Sequence, residues 1–309
     1  MVLIEKDSDL SFISISNNKG LKIILSSLGA SIFAIYFNNE LMTLTLKNKS
    51  DYRNLELYHG KTIGPVCGRI KDGRIDNFQY DLNEENVTRH GGNNGLSSQT
   101  FDYKVDENKD TVSVIFTLND FIVEYVIAVN EDSFKINFSY DGKPRPIALT
   151  NHSFFHLGDA FNKLSLKVDA DYFVENDPLS LVPLQSKAII SCLDFKEGKS
   201  IFKNIDDSYL KDSRTKGYDH YLHFTNSHSA DLFNDKYNLH IETDFSGLLI
   251  YSDNYAFNEE TIDQRVGIRK ALAIEPQDSP LERKIYCKSN RYQRFIKYNF
   301  SKLYVIVRI

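Results

Sequence analysis

Residues Thr111–Tyr140 read TVSVIFTL, Asn119-Asp120, FIVEYVIAV, Asn130-Glu131-Asp132, SFKINFSY. The period is two: Val112, Val114 and Phe116 alternate with polar or smaller neighbours, and so do Val123, Tyr125 and Ile127, then Phe134, Ile136 and Phe138. Successive strand side chains point to opposite faces, so this alternation marks half-buried strands. The two links are short and polar, as antiparallel hairpins require. The stretch predicts a three-stranded meander and sets the fold class.

The same pattern extends in both directions. Further strands are predicted at Leu21–Ser26, Ser31–Phe37, Asn77–Leu82, Leu164–Val168, Leu239–Thr243, Leu248–Ser252, Ala271–Ile274 and Phe295–Ile309. Asp72-Gly73 and Asp141-Gly142 tolerate positive φ and are predicted tight turns. Helical signals are confined to a turn or two in Lys199–Leu210 and in Glu259–Gln264. Asp177–Asp219 is polar and reads as a long loop excursion, which in a compact domain is often functional. Closely spaced strands without long helices point to an all-β sandwich rather than βαβ units. With no internal repeat or linker, residues 1–309 are expected to form one domain.

Composition narrows the function. The 309 residues carry 37 Lys+Arg against 42 Asp+Glu, a net charge of −5. That excess of acid argues against a nucleic-acid partner, which needs a basic face. No apolar run approaches the roughly 18 residues of a membrane span. The N-terminus MVLIEKDSDL lacks the basic and apolar regions of a signal peptide. Cys67, Cys192 and Cys287 are odd in number and far apart, which suits neither a disulfide framework nor a CxxC metal pair. A cytoplasmic protein, monomer or dimer, without metal or cofactor is expected. There are 21 Phe and 18 Tyr but no Trp, and the aromatics suit strands.

Four islands break the strand pattern with ionisable residues. In the first, Gly64–Gly73 (GPVCGRIKDG) and Thr88–Gly95 (TRHGGNNG), Arg69 and His90 lie beside glycines; a surface arginine and a loop histidine account for them equally well. In the second, Pro146–Asp159 (PIALTNHSFFHLGD), His152 follows an apolar strand among aromatics. Desolvation lowers an imidazole pKa and a nearby carboxylate raises it, so such a group can be tuned as an acid or base. It can equally be a hydrogen-bonded core histidine. His152 and His156 would share a strand face about 13 Å apart, which is no zinc pair. In the third, Lys216–Phe224 (KGYDHYLHF), Asp219 opens a strand. In the fourth, Ala271–Glu282 (ALAIEPQDSPLE), Glu275 stands at the end of a buried strand, where a carboxylate is costly unless paired or used.

Taken in order, Gly68-Arg69-Ile70, His90-Gly91-Gly92-Asn93-Asn94-Gly95, Thr150-Asn151-His152-Ser153-Phe154-Phe155, Tyr218-Asp219-His220 and Glu275-Pro276-Gln277 resemble the motifs of the aldose 1-epimerases, or galactose mutarotases. The resemblance spans Gly64 to Gln277. It implies a large antiparallel β-sandwich, the mutarotase-like supersandwich, with a monosaccharide in an open cleft. It also implies roles: His152 as the acid at the ring oxygen, Glu275 as the base at the anomeric hydroxyl, and Arg69, His90 and Asp219 holding sugar hydroxyls. The acid–base pair was expected to rest as imidazolium and carboxylate. Phe154, Phe155, Tyr218 and Tyr221 were candidates to stack on the sugar.

Several positions depart from the family pattern. Pro65 replaces an arginine and Gly68 an asparagine, His156 stands where asparagine is frequent, and Leu281 replaces an aspartate. Phe101 takes the place of a tryptophan. Three other readings remain open in the sequence: a non-catalytic carbohydrate-binding relative, a hydrolase using Asp219 and Glu275, and a sugar-phosphate epimerase. The last needs more cations than Arg69 and Arg89.

Overall fold

The computed structural model describes residues 1–54 and 56–303. The meander forms as the alternation predicts, with strands Thr111–Leu118, Phe121–Ala128 and Ser133–Tyr140. They belong to a nine-stranded antiparallel sheet. From Asp102–Glu107 it runs through the meander to Tyr292–Lys302, then Tyr237–Thr243, Ser229–Phe233, Ser165–Val168 and Lys199–Ser200. The strand predicted at Phe295–Ile309 is thus Tyr292–Lys302, and positions 304–309 lie outside the described residues.

A six-stranded antiparallel sheet has the order Phe154–Phe155, Leu272–Gln277, Gly247–Tyr251, Asp219–Phe224, Ala170–Asn176 and Pro183–Ala188. Five N-terminal strands between Val2 and Leu41 form a third sheet. One apolar cluster joins all three, including Ile13 and Ile23 of the N-terminal sheet, Val114, Phe134 and Tyr298 of the large sheet, and Leu222, Leu248 and Ile274 of the six-stranded sheet. The fold is all-β, and the only α-helix among the described residues is Ser208–Lys211.

The departures from expectation have local causes. Glu259–Gln264 makes no helix, because Glu260 O accepts from Lys47 N at 2.7 Å and Ile262 N donates to Thr45 O at 2.9 Å. Its backbone groups are engaged by an extended neighbour. Within Lys199–Leu210 only the last residues are helical. The Asp177–Asp219 excursion contains the strand Pro183–Ala188, whose side chains are mostly exposed. An edge strand open to solvent shows no apolar alternation, so period alone does not reveal it. Asp72 and Gly73 do take positive φ (53° and 64°), but their flanking strands pair elsewhere, Arg69–Lys71 with Val87–Arg89 and Arg74–Ile75 with Phe78–Gln79. Only those last two residues of predicted Asn77–Leu82 are strand. Asp141 and Gly142 are not among the positive-φ residues.

Candidate active site

The strand Leu272–Gln277 is buried along its whole length. Leu272 and Ile274 join the main core, while the alternate residues Ala273 and Glu275 face the other way. The strand therefore continues through Glu275-Pro276-Gln277 instead of ending at Ile274. Residues directly opposite in an antiparallel ladder share a face. Register pairs Asp219 with Tyr251 and Tyr251 with Ala273; in the next row it pairs Tyr221 with Leu249 and Leu249 with Glu275. This outer face is the floor of a cleft of about 520 Å³. The opposite wall comes from Tyr58, His59, Arg69, Arg89, His90 and Asn93.

All five residues named from sequence reach this cleft. His152 follows the two-residue strand Thr150–Asn151, which pairs with Thr62–Ile63. Its backbone is held by Lys61 O (2.9 Å) and Gly60 N (2.8 Å). Its Nε2 lies 3.2 Å from Glu275 Oε1. The ring stacks on Phe154 (centroids 5.0 Å) and meets His90 edge-on at 5.5 Å. Arg69 Nε donates to Glu84 Oε2 at 2.8 Å, and its Nη1 lies 3.7 Å from Asp219 Oδ2. Burial works against the Arg69 charge, but Asp219 and Glu84 outweigh it and hold the guanidinium protonated.

The His-Gly-Gly turn fits its location. His90 Nδ1 accepts from Gly68 N at 3.4 Å, and His90 N donates to Gly68 O at 2.9 Å. Gly91 has φ +88°, and a Cβ there would lie 2.2 Å from Gly64 O. Only glycine lets these two segments approach and bring Arg69 and His90 together.

Burial works against the expected ion pair. Burial pushes the His152 imidazole down to about 3, against which its backbone hydrogen bond is a smaller opposing effect. Burial, and then the Asp219 charge, raise the Glu275 carboxyl well above its usual range. Burial thus favours the neutral form of each, imidazole beside protonated carboxyl. His90 is also held neutral by burial, with the Arg89 and Arg69 charges adding to it. Burial raises Asp219, with Arg69 and Arg89 opposing.

Other expectations are redistributed. Of the four aromatics proposed to stack on a ligand, Phe154 lines the cleft, while Phe155 and Tyr218 belong to the main core and Tyr221 is buried. The cleft's other aromatic rings come from Tyr58, Tyr251, Tyr255 and Phe257. His156 does not share a strand face with His152: the chain turns between Thr150–Asn151 and Phe154–Phe155. Its Nε2 donates to Thr43 O at 3.0 Å, and its Nδ1 accepts from Gly158 N at 3.0 Å. A Cβ on Gly68 would meet only Arg283 Nη2, at 3.6 Å, so its missing side chain leaves room. Phe101 is a core residue. The excursion does reach the cleft through Leu181 and Thr215. Among the described residues no three His, Cys, Asp or Glu side chains cluster as a metal site, and no helix is long and apolar enough to cross a membrane.

Sequence reasoning missed Glu84, which orients Arg69, and the group His59, Asp253 and Lys270. Asp253 Oδ2 lies 2.9 Å from Lys270 Nζ, with both side chains buried. His59 also precedes a glycine, and that His-Gly pair six residues before Pro65 was the available signal.

The aldose 1-epimerase family model matches residues 11–285. An aldose 1-epimerase of Streptococcus thermophilus is 24% identical, with 88% of this chain and 87% of that protein covered. The galactose 1-epimerase structure from Lactobacillus acidophilus has a TM-score of 0.86 at 22% identity, covering 98% of this chain and 99% of that one. An aldose epimerase homologue from C. elegans has a TM-score of 0.82 at 24% identity, covering 95% and 99%.

Proposed function

Because the chain belongs to the aldose 1-epimerase family, we propose that it interconverts the α and β anomers of a free aldohexose, such as galactose or glucose, through acid–base ring opening by His152 and Glu275. The observation that carries this reading is the 3.2 Å contact between His152 Nε2 and Glu275 Oε1, on a cleft floor reached by Arg69, His90 and Asp219.

Opening a pyranose breaks the C1–O5 bond, moves a proton onto O5 and removes one from the C1 hydroxyl. An imidazolium at O5 and a carboxylate at O1 do both. Afterwards the imidazole is neutral and the carboxyl protonated. That is the same pair of protonation states that burial favours in the free protein, so the two forms hold equal numbers of protons. Sugar hydroxyls that hydrogen-bond to the carboxylate stabilise its charge. Once the bound sugar aligns the two groups, which lie 3.2 Å apart without a hydrogen bond in the free protein, Glu275 gives its proton to His152 and the ring opens. Rotation about C1–C2 presents the other face of the aldehyde. Reclosure runs the proton transfers backwards. Each acid or base contributes typically about 10²–10⁴-fold.

Arg69 supplies fixed donors, and neutral His90, whose Nδ1 already accepts from Gly68 N, offers its Nε2–H donor to a hydroxyl. Residue types suited to a neutral sugar agree with a chain of net charge −5, and a cytoplasmic location is the corresponding expectation. Polarimetry tests the proposal: freshly dissolved α-D-galactose and α-D-glucose should equilibrate faster with the protein, and slowly with His152→Ala or Glu275→Gln. Unaccelerated equilibration of every aldose would favour a sugar-binding module. Full activity in both variants would reject the assigned pair.

A further inference from the structure

His59 is buried to 6% exposure, yet it lines the cleft. Neither ring nitrogen has a hydrogen-bond partner among the described residues. Buried polar atoms left without partners are costly and rare, so each one calls for a cause. Here the ring is firmly placed. It packs against Phe154 (4.7 Å) and edge-on against Phe257 (4.9 Å). Its carbonyl accepts from the Tyr52 hydroxyl. The next residue, Gly60, is clamped between Ile32 and His152: Gly60 O accepts from Ile32 N at 2.9 Å and Gly60 N donates to His152 O at 2.8 Å. One short segment therefore positions both histidines, and both rings pack against Phe154.

The surroundings define what the ring can bind. Lys270 Nζ is matched by Asp253 at 2.9 Å and sits 4.0 Å over the Phe257 ring. Lys61 donates to Asn54 O at 3.2 Å. Burial first, with the Lys270 and Lys61 charges adding to it, keeps the His59 imidazole neutral. A neutral imidazole offers one donor and one acceptor. A hydroxyl has the same pair of capacities, whereas a phosphate or carboxylate would meet an acceptor nitrogen and a cation already balanced.

We infer that His59, with Phe154 and Phe257 beside it, forms a hydroxyl-reading subsite of the cleft, and that His59 is a specificity-determining residue for a neutral sugar. The inference rests on the proposed anomer interconversion. The free protein leaves these nitrogens unsatisfied, and a correctly configured sugar hydroxyl satisfies them. A site built to hydrogen-bond a hydroxyl discriminates strongly against the analogue lacking it.

The experiment compares wild type with His59→Phe, which keeps an aromatic ring between Phe154 and Phe257. The substrates are glucose and galactose and their 2-, 3-, 4- and 6-deoxy forms, followed by polarimetry, with dissociation constants from calorimetry. Wild type should lose about tenfold in kcat/KM on one deoxy sugar, the size of one hydrogen bond. The variant should show that loss on the parent sugar and no further loss on that deoxy sugar. Its Tm should not fall, because two unpartnered buried nitrogens are gone. His59→Gln, which retains a donor and an acceptor, should recover part of the discrimination. Identical discrimination by wild type and variant across the series would overturn the inference. If wild type accelerates no aldose, the anomer reading fails instead, and the calorimetric pattern across the deoxy sugars still decides for or against His59. Should the phenylalanine variant not fold, the His59→Gln comparison decides alone.

Discussion

Replacing His152 by Gln and measuring stability at two pH values tests the neutral resting pair directly. Burial lowers the His152 pKa from 6.5 to about 3. Between those values the unfolded chain binds a proton that the folded one does not, so acidification favours unfolding. The sign is that of a depressed base: its contribution is undiminished above 6.5, is lost as pH falls, and levels off near 3. At pH 5.5 the gap is about one unit, or roughly 1–2 kcal/mol. Glutamine has no such linkage. Urea melts of both proteins should therefore show wild type losing roughly 1–2 kcal/mol more than the variant between pH 7.5 and 5.5. Packing lost through the substitution is common to both pH values and cancels. So do His59, His156 and His220, which are likewise held neutral by burial in both proteins. Repeating the comparison with Glu275→Gln in both proteins removes the carboxyl's own titration. A difference near zero would mean that His152 titrates normally. The opposite sign, with wild type relatively better at pH 5.5, would mean a resting imidazolium–carboxylate pair and would refute the desolvation argument.

Glu275→Gln should lower kcat about 10²–10⁴-fold and yet raise Tm. The raised carboxyl pKa makes wild-type stability fall as pH climbs above about 4.5, so the gain in Tm should grow from pH 5 to 8. Asp253→Asn leaves the Lys270 ammonium buried without its partner at 2.9 Å. It should cost about 3–5 kcal/mol in urea melts, and an unchanged midpoint would contradict the pairing. Gly60→Ala would place a Cβ 1.8 Å from the Ile32 carbonyl oxygen at φ +67°. It should destabilise by more than about 4 kcal/mol, read as loss of soluble, cooperatively melting protein.

The fold was most legible where one sheet face is buried and the other is wet. Two meander strands matched their alternation to the residue, and the middle one ends one residue early, at Ala128. Legibility failed where neither face is apolar, as at Pro183–Ala188, or where both are covered, as at Leu272–Gln277. In the second case Glu275 looked terminal because Pro276 follows it, but that proline pairs with Leu248 within the sheet. Site residues could be named because they sit in glycine-bearing turns or at breaks in the strand pattern. Their protonation could not be read, since it depends on how completely rings from distant segments exclude water. Nor could His59, whose significance lies in the absence of a partner.

The insertion of Tyr292–Lys302 into the middle of the nine-stranded sheet also bears on biosynthesis. The meander's last strand, Ser133–Tyr140, takes that strand as its neighbour, with Tyr140 opposite Tyr292. At about 5–20 residues per second, a ribosome needs roughly 10–30 s to supply the intervening segment. For that interval the nascent meander presents one unpaired edge. Its flank carries Lys135 and Asn137 on the less buried face, and an edge lysine discourages pairing with other chains. Completion of the central sheet is thereby tied to the arrival of Tyr292–Lys302, not to the early folding of the meander.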